Sequence, residues 1–132
     1  MRLKALGVTL IILCLASLGV LPLTHADDPG GGAKDKLVAA LTATAKGQCP
    51  ADIMSPLLLD ACETQLSTNQ KMLSGLGKIQ SATYRGKQEL PNKIVAEAYR
   101  VEFEKGTMTW LASLDGEGKL LVLWTSGDIR RK

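Results

Sequence analysis

Few residues in this chain have the types and spacing to do chemistry. Glu97 and Tyr99 stand two apart in "IVAEAYRVEF", so in an extended strand both project from one face. A carboxylate and a phenol held together on an apolar face are the parts of an acid–base pair, one accepting a proton and the other donating. Tyr84 and Asp60 could complete such a site. The competing reading puts Glu97 at the strand's rim, in reach of water, because charged side chains are seldom fully buried. A small cavity enzyme working by Tyr/Glu acid–base chemistry is therefore the alternative. The first reading is a chain with no catalytic residue.

Other chemistries fail on composition. The one histidine, His25, lies in a segment expected to be removed. Without it there is no Ser-His-Asp or Cys-His catalysis and no His-containing metal site. Ser113 and Ser126 have no motif-placed base near them in sequence, and G-x-S-x-G is absent. The "DGEG" acids, Asp115 and Glu117, lack the alternating oxygen ligands of a calcium loop. No metal and no cofactor is expected.

The N-terminus carries an address. Arg2 and Lys4 precede an almost wholly apolar run over 5–23, and "THA" follows at 24–26. That is the layout of a secretory signal peptide cut after Ala26, with a retained membrane anchor as the rival. Cys14 sits after Ile-Ile-Leu, without the small residue a lipidated cysteine needs, and reads as an apolar signal residue. The chain then works in a periplasm or outside the cell, with no membrane contact after cleavage. Cleavage removes two of 16 basic residues and none of 13 acidic ones, leaving a charge of +1. The basic tip at 130–132 reads as a solvated, frayed end. No broad basic face remains, so nucleic acid is not an expected partner.

Two cysteines survive, Cys49 and Cys62. An even count in an exported chain suggests a disulfide, with two buried free thiols as the rival.

The elements that must position these residues are legible from period and punctuation. Residues 27–33, "DDPGGGA", form a flexible tether, and 34–132 a single domain. Leu37, Val38, Leu41 and Ala45 mark a helix over 34–46, stopped by Gly47. Ser55-Pro56 starts a second helix to about 66, with Cys62 turned inward toward the loop that holds Cys49. Ser67 and Gln70 have capping-box spacing for a short third helix or a kink, ended by Gly75 and Gly77.

From Lys78 the period becomes two. Strands are expected over 78–88, 95–104, 107–114 and 119–125, with turns at Lys105-Gly106 and 115–118. Val95, Tyr99, Val101 and Phe103 share the inner face of the second strand, with Glu97 its polar member. Met108, Trp110, Ala112 and Leu114 line the third, leaving Ser113 outward. The fourth strand is apolar on both faces through Leu121, Leu123 and Trp124, so it needs a cover or a partner. The class is α+β: N-terminal helices packed on a curved antiparallel meander.

Four phrases stand in order: "MSPLL", "LGKIQSATYRG", "AYRVEFEKGTMTWLASLD" and "GEGKLLVL". Together they resemble the small NTF2-like/cystatin-like module of bacterial exported proteins, often appended to serine hydrolases and β-lactamase-like enzymes. Tyr99, Val101, Phe103, Gly106, Trp110, Leu114, Asp115, Gly118, Lys119 and Leu120 carry the likeness. The resemblance implies an accessory or binding domain, here standing alone, or a modulator of an exported hydrolase. Ketosteroid isomerase, in the same superfamily, is the precedent for a Tyr/carboxylate enzyme. The Cys49/Cys62 pair departs from the module.

The expected function is thus a non-enzymatic exported binding or interaction module. Tyr84, Glu97, Tyr99, Trp110, Leu121, Leu123 and Trp124 are its candidate pocket or contact residues. The partner would be a protein or a small ligand, or a second copy joined through the sheet. Trp110 suits the core; Trp124 suits either core or a partner surface.

Overall fold

Residues 32–132 are described from a computed structural model. The expected signal peptide and most of the expected tether lie outside them. Three helices come first: α1 (Lys34–Ala45), α2 (Pro56–Thr64) and α3 (Leu66–Leu76). Five strands follow: β1 (Ile79–Leu90), β2 (Ile94–Phe103), β3 (Gly106–Leu114), β4 (Leu120–Thr125) and β5 (Arg130–Arg131). All pair antiparallel in one sheet of order β1-β2-β3-β4, with β5 also on β3. The chain is an α+β domain with its helices on one face of the sheet.

The helices stand where caps and breakers put them. Ser55 caps α2, its Oγ accepting from Leu58 N at 3.3 Å, with proline at the first helical position. Gly47, at φ +85, follows the end of α1. The capping box at Ser67 goes unused. α3 begins at Leu66, and Gln65 serves both as the C-cap of α2 and the N-cap of α3, with no side-chain cap bond. With a single residue between the helices, Ser67 lies inside the first turn, past the position from which a side chain can cap.

Cys49 and Cys62 form a disulfide, their Cα atoms 6.1 Å apart. The bridge ties the α1–α2 loop to the inward face of α2. An oxidised pair fits an extracellular or periplasmic compartment. No helix among the described residues is long and apolar enough to cross a membrane.

The core lies between helices and sheet. Tyr99, Val101 and Phe103 of β2 and Met108, Trp110 and Ala112 of β3 are buried against Leu37, Ala40 and Leu41 of α1 and Leu73 and Leu76 of α3. Val95 departs from its expected place in that face. It is 52% exposed, because it pairs with Glu89 in the end of the β1–β2 hairpin, which is mostly exposed. The turn after β2 is Glu104-Lys105, and Gly106 opens β3. A Cβ on Gly106 would stand 3.0 Å from the Arg130 carbonyl oxygen and 3.1 Å from Leu76 Cδ2. That position admits glycine because backbone and helix both approach it closely.

Two further differences concern the sheet's edges. The segment before α2 covers the start of β4: Ser55 N donates to Leu120 O at 2.8 Å and Leu120 N to Ile53 O at 2.7 Å. This blunts an edge that would otherwise stand open. The C-terminal tip is solvated, as its charges suggest, but its backbone is not frayed. Arg130 and Arg131 pair with Thr107 and Gly106, taking the stretch of β3 that β4 does not reach. In the "DGEG" turn, Asp115 Oδ1 accepts from Glu117 N at 2.8 Å and Lys119 N at 3.0 Å. One oxygen of its carboxylate thus closes the hairpin.

Candidate functional site

β2 brings Glu97 and Tyr99 together as its period requires. They lie opposite Ala112 and Trp110 of β3. Tyr99 is fully buried, and its hydroxyl donates to Glu97 Oε1 at 2.7 Å. The same oxygen accepts from Ala33 N at 3.0 Å, at the start of α1. Tyr84, the cross-strand partner of Tyr99, packs edge-on at 5.8 Å between ring centres. Burial first, then the hydrogen bond and negative charge of Glu97, hold the Tyr99 hydroxyl well above the ordinary tyrosine range. It is a neutral donor at any physiological pH.

This pair acts as a latch. One carboxylate oxygen takes two donors from two elements and so fixes the entry of α1 onto β2. Ala33 is accordingly a buried anchor, not the last residue of a loose tether. Glu97 is partly exposed and borders an open depression of about 240 Å³ with Lys87, Val95 and Leu114. Tyr99 is not among that depression's walls. Acid and base are hydrogen-bonded, but they do not face a shared enclosed space.

A smaller, partly open space lies elsewhere. A cleft of about 60 Å³ opens between the three helices and the sheet. Trp110 and Leu123 form its sheet side, with Leu41 and Thr44 from α1. Leu58, Ala61 and Cys62 of α2 close another wall, and Gln65, Asn69 and Leu73 bring the α2–α3 junction to it. None of these side chains is charged. The Thr44 hydroxyl donates to Ala40 O at 2.8 Å within α1. Trp110 is 5% exposed, and its Nε1 is buried without a protein acceptor. A buried N–H left in that state is uncommon and destabilising.

The candidate residues therefore divide among three places. Glu97, Tyr99 and Tyr84 meet at the latch. Trp110 and Leu123 meet at the cleft. Trp124 stands apart, 55% exposed, opposite the buried Leu111 on the sheet's outer face. Leu121, three positions earlier in β4, is half-buried.

Sequence reasoning missed Thr44, Gln65 and Asn69, which no motif distinguishes from other helix residues. It also placed Ser113 outward. Ser113 is buried, paired with Val122, and its Oγ has no partner. No cluster of three His, Cys, Asp or Glu among the described residues could hold a metal ion. Comparison with protein-family models, with curated proteins and with solved structures finds no match.

Proposed function

We propose that this chain is an exported, non-enzymatic binding module of NTF2-like or cystatin-like build, and that the helix–sheet cleft is where it takes a small ligand. The carrying observation is the cleft itself: uncharged and bordered by the three described helices and two strands. The "THA" cleavage pattern and the Cys49–Cys62 bridge support export to a periplasm or beyond. The Tyr/Glu enzyme is less favoured because the pair shares no cavity: Glu97 borders an open depression that Tyr99 does not line.

The test is thermal unfolding of the mature protein against a set of small neutral compounds. At least one should raise the midpoint by several degrees. Ala61 is exposed at the cleft's rim on a helix, so Ala61→Leu should fill the cleft, keep the fold and abolish the shift. A set that never shifts the midpoint, or shifts it equally in Ala61→Leu, removes the reading.

A second reading rests on Trp124. A tryptophan more than half exposed, on a face that none of the described helices covers, supports contact with a protein: a second copy or an exported hydrolase. Sedimentation of wild type and Trp124→Ser at rising concentration tests the self-association form. Identical monomer profiles for the two exclude it.

A further inference from the structure

We propose that the outer face of the sheet holds a site for a small, soluble phosphate monoester, built on Arg85, Arg100 and Arg130. It lies on the other face of the sheet from the helix–sheet cleft and is independent of it. Strand register places its parts. Arg100 pairs with Thr109, and Thr107 pairs with Arg130. Residues directly opposite each other share a face of the sheet, as do residues two apart in a strand. These four therefore lie together, away from Tyr99, Val101, Met108 and Trp110 of the core. Arg85 joins them from β1. It is the extra residue between the pairs Tyr84–Tyr99 and Gly86–Ala98, and such a bulge re-aims a side chain. Its neighbour Tyr84 packs inward on Tyr99, while Arg85 is exposed.

The loop from β4 to β5 completes the arrangement. Ser126 and Asp128 supply one wall of an open concavity of about 370 Å³, and the three arginines, Thr107 and Thr109 line the rest. The loop is tied to the sheet: Thr125 Oγ1 donates to Thr109 O at 2.8 Å and accepts from Gly127 N at 3.2 Å. Three guanidinium groups against one carboxylate give these walls a charge of +2. The carboxylate is engaged by its own loop, Asp128 Oδ2 accepting from Ser126 Oγ at 3.2 Å. Arg100 makes a loose ion pair with Glu102 at 3.7 Å. Neither Arg85 nor Arg130 has an ion pair or a side-chain hydrogen bond among the described residues. Like charges gathered at one concavity repel one another and raise the local concentration of anions.

The number of arginines selects the anion. A carboxylate has two oxygens, which a single guanidinium can satisfy. Three arginines from three strands suit an anion with three or more oxygens and a charge that matches the walls. A phosphate monoester has both, carrying about −1.5 to −2 at neutral pH. The Thr107 and Thr109 hydroxyls can donate to the same oxygens.

Methyl phosphate is the probe, titrated into ¹⁵N-labelled mature protein in phosphate-free buffer at neutral pH. Methyl sulfate has the same shape with a single charge, acetate has two oxygens, and trimethyl phosphate has no charge. Methyl phosphate should move the amide resonances of 107–109 and 126–130 along a saturable curve. Methyl sulfate and acetate should bind more weakly, and trimethyl phosphate not at all. Arg85→Gln and Arg130→Gln change exposed side chains, so the fold is kept. Each should weaken methyl phosphate by about three- to tenfold, the loss of one charge-assisted contact at an exposed site. Asp128→Asn should tighten it. Arg131→Gln removes the same charge from the next residue of β5, which points to the other face and does not line the concavity, and should leave the affinity unchanged.

A titration with methyl phosphate that does not saturate overturns the site. So does equal weakening in Arg131→Gln, which would reduce it to the diffuse field of a basic end. Methyl sulfate or acetate binding as tightly overturns the phosphate class. Pelleting with phosphatidate vesicles that Arg130→Gln abolishes would put the phosphate on a lipid and overturn the soluble ligand. None of these outcomes bears on the cleft, whose neutral ligands are read by thermal unfolding.

Discussion

The Tyr99 hydroxyl is sealed from solvent and donates to a carboxylate, and both facts oppose its ionisation. An unfolded tyrosine loses its proton near pH 10.0, whereas the folded one keeps it to higher pH. Above pH 10 the unfolded chain therefore binds fewer protons than the folded one, and stability falls as pH rises toward the folded value. Below pH 10 this contribution is whole. Tyr99→Phe should cost about 1.5–3 kcal/mol at pH 7, the range for a hydrogen bond to a charged group. It should also lose stability less steeply than the wild type between pH 10 and 11. Urea midpoints across that window measure the difference; parallel curves would show that Tyr99 titrates normally. The disulfide gives a second prediction. A loop closed across a separation of 13 residues stabilises by about 3 kcal/mol in the chain-entropy model. Cys49→Ala/Cys62→Ala should unfold at correspondingly lower urea, and mature protein denatured without reductant should show no reactive thiol.

β5 is two residues long and depends on a glycine. Gly106 lets the Arg130 backbone and a Leu76 methyl approach β3 from two sides. Gly106→Ala inserts a carbon at 3.0 Å from a carbonyl oxygen that belongs to backbone and cannot swing aside. The expected cost is about 1–3 kcal/mol, the range for overpacking a tight site. Amide exchange should locate the damage: protection at Arg131 and Lys132 should drop before protection in β2. Uniform loss would mean that β5 is no separate unit. The helices teach a related lesson. A serine and a glutamine at capping-box spacing lie within α3, because α2 runs into α3 with one residue between them. A local cap signal yields when the chain enters the turn already close to helical, as Gln65 does at φ −104 and ψ 10.

For the molecule entire, the proposed export with cleavage after Ala26 would set the arithmetic of charge, cysteine and histidine. The exported protein should begin at Asp27, which intact-mass measurement of material from the periplasm or medium will read directly. A chain retaining 1–26 would instead keep His25 and Cys14 and support the anchor. By itself the sequence left the third helix open against a kink and the cysteine bridge open against two free thiols. It determined the first two helices, the four main strands and the inner faces of β2 and β3 apart from Val95. Those follow from period, caps and glycines, which act over a few residues and leave local marks. Only the tertiary structure decided the rest. Glu97 is neither at a free rim nor in a closed acid–base pocket, because Ala33, 64 positions earlier, supplies its second donor. The start of β4 is covered by Ile53 and Ser55, and β3 gains a fifth strand from the C-terminus. Trp110 Nε1 is buried without an acceptor, although β3 places the ring on the inner face that its period requires. Such pairings join positions far apart in the chain, and no local pattern of residue types encodes which distant group arrives, or whether one arrives at all.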